Sequence, residues 1–195
     1  MKLGQPAGWV DAAPSSPRVE LCPAQVGDAA DLLEFERMNR AYFERLINGR
    51  GDAFYTQENV RQTLEKAEQN CDAGLAYAYL VRVGDELAGR VNLTDVERQH
   101  FHVARLGYRI GEAWCGRGVA TSAVGMAVER ALGEHRLYRI EATVAAYNRG
   151  SARVLEKNGF EVFGLAKRSF LHGGAWHDLI YYERRALAPP LLQGA

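Results

Sequence analysis

The stretch Trp114-Cys115-Gly116-Arg117-Gly118-Val119-Ala120-Thr121 constrains the fold more than any other part of the chain. Before it, ARLGYRI (Ala104 to Ile110) alternates as a strand does. After Gly118, VATSAVGMAVERALGEH has helical spacing, with Val124, Val128, Ala131 and Leu132 directed to a core. A strand passing into a helix through so short a glycine-rich turn places the chain among mixed α and β domains. Glycines let the backbone approach a bulky anion with no Cβ in the way. The free amides and the helix dipole favour phosphate there, and Arg117 adds a charge-assisted contact.

The rest of the chain changes period several times. A helix is expected from Asp28, its N-cap, through Leu32, Leu33, Phe35, Met38, Tyr42, Phe43 and Leu46, ending at Asn48-Gly49-Arg50-Gly51. A second, capped by Thr56, puts Val60, Leu64, Ala67 and Cys71 on one stripe and makes Cys71 a core filler. AYAYLVRV and ELAGRVNL flank Gly84-Asp85 and predict a hairpin. RIEATVA from Arg139 is a strand, with Ile140, Ala142 and Val144 on one face and Glu141 and Thr143 on the other. A short helix from Ser151 to Lys157 stops at Asn158-Gly159. Phe160 to Phe170 and Trp176 to Tyr182 flank a His172-Gly173-Gly174 turn. Residues 1–18 read as a loose arm pinned by Trp9, 19–185 as one domain and 186–195 as a tail, because 195 residues leave no room for a second full domain.

Composition narrows the partners. Twenty-four basic and 24 acidic side chains give zero formal net charge, so no global field draws in nucleic acid or an anionic membrane. Cys22, Cys71 and Cys115 form no C-x-x-C pair, and His100 and His102 lack third and fourth partners, so neither a disulfide framework nor a metal site is expected. With no apolar h-region in the first thirty residues and no long apolar run, the expectation is a soluble, cytoplasmic protein.

Three phosphate-binding motifs compete for the glycine turn. A P-loop needs Lys and then Ser or Thr after its last glycine, but Arg117 and Gly118 follow Gly116. A Rossmann fingerprint needs a third glycine where Thr121 stands. The third form, Q/R-x-x-G-x-G/A, is the pyrophosphate loop of the GNAT acetyltransferases, which this stretch resembles as C-x-x-G-x-A from Cys115 to Ala120. One helix and one strand later, Asn148 to Phe160 resembles the N-x-x-S-x-x-(V/L)-x-x-x-G-F signature of the same superfamily. Lys167 to Asp178 is similar to the closing hairpin of its ribosomal-protein N-terminal acetyltransferase branch. Cys115 stands where that loop usually has Gln or Arg.

The resemblance implies a GNAT fold: an α/β (α+β) domain with a mixed sheet of about six or seven strands, splayed in the middle, and about four helices. It implies acetyl-CoA as cosubstrate, no metal, and direct transfer to an amine, most like a protein N-terminal α-amine. A small-molecule amine is the alternative acceptor, and a non-catalytic CoA sensor the alternative class. Tyr108, Arg109 and Ile110 would meet pantetheine through backbone; Cys115, Gly116, Arg117, Gly118, Val119, Ala120 and Thr121 would hold the pyrophosphate. Asn148 matches a cofactor-contacting position, and Ser151 the position assigned to leaving-group stabilisation. A turn-forming Asn148 and an N-cap Ser151 are the competing structural readings. Tyr147 is a rival acid, Glu141 a candidate base against a purely structural carboxylate, and as base a water relay ranks above any single side chain. Arg90 and Asn92 either line the acceptor groove or alternate outward, and Phe54-Tyr55-Thr56 would shape a peptide groove. Monomer and homodimer both stay open.

Overall fold

The computed structural model describes residues 18–188. The expected arm with its Trp9, and all but the start of the expected tail, lie outside the described residues.

Seven strands form one sheet in the order β1-β2-β3-β4-β5-β7-β6. In chain order they are β1 (Val19–Pro23), β2 (Tyr77–Val83), β3 (Glu86–Glu97), β4 (Val103–Ile110), β5 (Arg139–Ala145), β6 (Glu161–His172) and β7 (Ala175–Arg185). Every neighbouring pair is antiparallel except β4 and β5. Five α-helices accompany them: α1 (Ala29–Met38), α2 (Arg40–Glu44), α3 (Gln57–Asp72), α4 (Val119–Leu132) and α5 (Arg149–Lys157). The mixed sheet expected from the sequence is present.

The extra helix comes from Asn39, which divides the first expected helix into α1 and α2. Its Nδ2 donates to the Phe35 carbonyl at 2.9 Å, and its Oδ1 accepts from the Glu112 N–H at 2.9 Å. The break therefore ties the helical pair to the loop after β4. Asp28 precedes α1 without capping it through its side chain. Its carboxylate accepts instead from the Gln25 N–H and from Arg82. Thr56 does cap α3, accepting from the Asn59 N–H at 3.2 Å. Cys71 is exposed rather than a core filler, because the buried stripe of α3 stops at Val60 and Leu64. The β2–β3 hairpin turns at Gly84-Asp85 with Gly84 at φ +60°, a conformation that favours glycine.

Two apolar cores sandwich the sheet. Residues of α4 and α5 pack with Val91, Leu93, Leu106, Ile140 and Val144; Leu32, Phe35 and Phe43 of α1 and α2 pack with Val60 and Leu64 of α3 and Leu80 of β2. Leu155 is fully buried and holds α5 down one turn beyond Ser151. Truncation to alanine there would cost about 2–5 kcal/mol and loosen the helix that carries the serine.

The parallel pair positions the site. β4 and β5 are in register only at Val103↔Arg139, Ala104↔Ile140 and Arg105↔Glu141. Beyond these the strands part, leaving the backbone edge of β4 from Leu106 to Ile110 facing a gap rather than a neighbour on that side.

Candidate active site

Two cavities, of about 370 and 390 Å3, meet at this gap and share Leu46, Ile47, Tyr108, Arg109, Asn148 and Ser151. The first runs along the glycine turn. Gly116 and Gly118 have φ of +74° and +81°, and Gly118 is the N-cap residue of α4. The first hydrogen bond of α4 runs from the Ser122 N–H to the Gly118 carbonyl at 3.0 Å. The amides of Val119, Ala120 and Thr121 are thus the orphan donors of a helix start, and no side chain caps them. A Cβ on either glycine would meet nothing within 4 Å, so the backbone lies open to the cavity.

Of the residues that the resemblance assigns to the cofactor, Ile110, Cys115, Gly116, Gly118, Ala120 and Thr121 line this cavity. Val119 is buried in the core and offers only its amide. Arg117 is exposed, lies 5.5 Å over the Trp114 ring and does not line the cavity. The cations that do are Arg109, shared with the second cavity, and Arg153 and Lys157, an i,i+4 pair on α5 that the sequence reading missed; basic residues at that spacing after Ser151 were the available signal. Cys115 Sγ lies 3.0 Å from the Tyr42 hydroxyl, so α2 closes over the loop. Burial first, and then the cysteine, push the Tyr42 phenol up to about 12.

At the junction Tyr108 Oη sits 2.8 Å from Ser151 Oγ and donates to the Ser151 carbonyl at 3.2 Å. Burial pushes this phenol up to about 12, with the Ser151 contact pulling slightly the other way. Tyr108 therefore stays protonated at neutral pH and acts as a donor. Asn148 rather than Ser151 is the N-cap of α5: its Oδ1 accepts from the Ser151 N–H at 3.1 Å. The Ser151 side chain is thereby free of the capping role and remains in the cleft. The family resemblance points to Tyr108 for its backbone alone. On alternating β4 it shares a face with Leu106 and Ile110 and reads as a core residue.

The other acid–base candidates lie elsewhere. Tyr147 donates to the Leu46 carbonyl at 2.9 Å and contacts His172 Nδ1 at 3.0 Å, and it lines neither cavity. Glu141 occupies the last position of β5 that pairs with β4, forms an ion pair with Arg139 at 2.8 Å and lines neither cavity either. It sits where the strands are still joined, short of the gap. His100 and His102 also line neither. Among the described residues no Asp, Glu or His lines the two cavities, and no three His, Cys, Asp or Glu side chains converge as a metal site.

Arg90 and Asn92 line the second cavity, together with Arg50 and Arg109. Phe54 and Tyr55 do not line it. Phe54 instead lies under the Arg50 guanidinium, 4.3 Å from ring centre to Cζ, and Tyr55 is buried. Behind the arginines is Glu36 of α1, a fully buried carboxylate. Arg90 and Arg109 approach it at 3.2 Å and Arg50 at 3.8 Å. Burial holds the Arg50 guanidinium below its ordinary value, with Glu36 opposing and Arg109 adding to the effect.

A sheet split between its two parallel strands, with a glycine-rich helix start at one end of the split and a hydroxyl pair in the middle, defines an acyltransferase of the GNAT type. The chain belongs to that family: residues 18–161 match the acetyltransferase (GNAT) domain. It is 35% identical, over 80% of its length and 87% of the relative's, to the probable N-acetyltransferase YjcK of Bacillus subtilis (strain 168). The ribosomal-protein-S5-alanine acetyltransferase from Vibrio fischeri superposes with a TM-score of 0.82 at 26% identity, covering 86% of this chain and 92% of that one. Mycobacterium smegmatis RimJ, in complex with CoA-disulfide, superposes with a TM-score of 0.79 at 25% identity, covering 86% and 82%. Among the described residues no helix is long and apolar enough to cross a membrane.

Proposed function

We propose that this protein transfers the acetyl group of acetyl-CoA to the α-amine of a protein or peptide N-terminus. The observation that carries the reading is the junction of two cavities at the Tyr108–Ser151 hydroxyl pair, one cavity ending in orphan helix amides and the other open for an acceptor. The relatives described as an S5-alanine acetyltransferase and as a CoA-disulfide complex support it.

The residues present fit the cosubstrate. The amides from Gly116 to Thr121 would receive the pyrophosphate, Arg153 and Lys157 would face its charge, and the unpaired β4 edge from Tyr108 to Ile110 would hydrogen-bond pantetheine as a neighbouring strand would. When bound, acetyl-CoA supplies a thioester carbonyl for attack and a thiolate leaving group. Free strand N–H groups of β4 would donate to the carbonyl oxygen as charge grows on it. Ser151 and Tyr108 would hydrogen-bond the departing sulfur. A phenol near 12 facing a thiol near 8.5 would lose about 5 kcal/mol on full proton transfer, so its role is to donate a hydrogen bond and keep its proton. The N-terminus of α5 adds favourable dipole at the same point. An α-amine titrates at about 7.7–8.0 and is substantially neutral at physiological pH, so it needs only a water to carry its proton away. That suits cavities lined by neither carboxylate nor imidazole.

The test is mass spectrometry of products after incubation with acetyl-CoA and peptides of varied first residue and, separately, small amines. Acetylated peptide α-amines are expected. Acetylation of small amines alone would overturn the acceptor assignment, and no product from any amine would overturn the catalytic one.

A further inference from the structure

The second cavity carries a charge imbalance that folding does not require. Arg50, Arg90 and Arg109 come from the loop after α2, from β3 and from β4, and all three line it. Their side chains retain only 20%, 11% and 16% of their exposure, and a single carboxylate, Glu36, answers them. Two positive charges are left over at a largely desolvated place, where an unpaired charge is expensive to hold. Arg50 Nε is buried with no hydrogen-bond partner, and Arg90 Nε and Glu36 Oε1, though 3.2 Å apart as an ion pair, are not hydrogen-bonded to each other either. A guanidinium offers five N–H donors, and two carboxylate oxygens accept about four hydrogen bonds between them. Three guanidiniums therefore exceed what Glu36 can absorb.

The arginines are also held in place. Arg50 stacks on Phe54 at 4.3 Å and Arg109 on Phe43 at 5.3 Å, and Glu36 fixes Arg109 through an Nη1 to Oε2 hydrogen bond of 3.2 Å. Rigid forked donors with spare capacity suit a planar anion. The cavity they line reaches Tyr108 and Ser151, where the acceptor amine must stand.

We infer that the acceptor pocket of this enzyme recognises a carboxylate carried by the same molecule as the acceptor amine, with Arg50, Arg90 and Arg109 as its binding residues. The inference rests on the acetyl-transfer reading for the position of the amine. The positive wall has a second effect: it disfavours the ammonium form of the incoming amine, and the tethered carboxylate recovers the attraction that the ammonium would forfeit. The carboxylate has two sources, an acidic side chain close to a peptide N-terminus or the α-carboxylate of a free amino acid.

The experiment measures kcat/KM with acetyl-CoA and C-terminally amidated tetrapeptides that differ only in Glu, Gln or Lys at the second and third positions, and with free alanine against alaninamide. The full chain folds around this cluster, so the comparison is run on it and on Arg50→Gln, which leaves Glu36 paired to Arg90 and Arg109. A charge-assisted contact predicts an acidic-over-neutral preference of about tenfold to a hundredfold. It should be expressed mainly in KM, fall with added salt, and narrow in Arg50→Gln. Preference for the Glu peptides assigns the carboxylate to a side chain, and preference for alanine over alaninamide assigns it to an amino acid. Equal rates across both series, or a preference that Arg50→Gln leaves intact, overturns the inference while acetyl transfer stands. Calorimetry with the same peptides and no acetyl-CoA reads the site without turnover. Tighter binding of the acidic peptide supports it even if no product forms, and equal binding overturns it.

Discussion

Alanine at Gly118 separates the backbone's structural requirement from its requirement for binding. Gly118 sits at φ +81°, where an L-residue costs about 1–2 kcal/mol. Gly→Ala also stiffens the unfolded chain, which offsets about 0.4–1 kcal/mol. The expected net loss is at most about 1.6 kcal/mol, or up to about 6 °C in Tm for a domain of this size. The added Cβ meets no protein atom within 4 Å, so no steric term enters. Gly84 supplies the control: it lies in the β2–β3 hairpin at φ +60°, and its Cβ would also meet nothing within 4 Å. Gly84→Ala should lose similar stability for the same backbone reason, but it lines neither cavity. At Gly118 the methyl enters the groove beside the orphan amides of Val119, Ala120 and Thr121. Losing one charge-assisted hydrogen bond there is worth about 1.5–3 kcal/mol, a tenfold to hundredfold weaker Kd for acetyl-CoA. Calorimetric titration of both variants, with thermal melts alongside, measures the two effects separately. Equal acetyl-CoA affinity in Gly118→Ala and Gly84→Ala would refute the phosphate-loop reasoning whatever the melts show.

Ser151→Ala and Tyr108→Phe should each lower kcat about tenfold to hundredfold, as loss of a hydrogen bond to a charged group would, with acetyl-CoA affinity little changed. Because the two hydroxyls touch at 2.8 Å, the double variant should be less impaired than the product of the singles, and strictly multiplicative losses in a steady-state cycle would show that they do not act together. Glu36→Gln removes the one anion between three guanidiniums and should destabilise by about 3–5 kcal/mol, read by urea denaturation; a loss under 1 kcal/mol would mean that the arginines find other compensation. His135 stacks on Tyr77 at 3.5 Å and contacts the Tyr79 hydroxyl at 2.6 Å, and burial holds its imidazole below the ordinary value. The unfolded chain therefore takes up that proton first as pH falls. The contribution is complete above about pH 6.5 and is lost as pH drops below it toward the folded value. Tm should fall on acidification across that window, and less so in His135→Gln; identical slopes would assign the effect to other groups.

What was legible in the sequence was what neighbouring residues decide among themselves. The glycine turn works through its own φ angles and amides, the hairpin through Gly84, and the strands through alternation, so each was placed from its own letters. β1 escaped because its alternation covers only Val19, Glu20 and Leu21 before Pro23 ends it, and α2 because one side chain, Asn39, bends a continuous apolar pattern. Adjacency in sequence also misled: Tyr147 precedes Asn148, but its hydroxyl turns to Leu46 and His172, away from the cleft. Tyr108, 43 residues from Ser151, turns into it. Besides the candidates Arg90 and Asn92, Glu36 left a local trace of the second cavity, a charge four residues after Leu32 and three after Leu33 on the buried stripe of α1. Its partners at 50, 90 and 109 are ordinary exposed-looking arginines until the sheet closes. The division follows from chemistry. A phosphate can be held by backbone, whose geometry glycines announce locally. An acceptor must be told from other amines by side chains, and the arginines proposed for that role come from the loop after α2 and two adjacent strands, with Glu36 of α1 behind them. The donor half of such a site can therefore be read from a motif, whereas the acceptor half depends on tertiary structure, and the surplus of guanidinium over carboxylate is the property of that half most open to experiment.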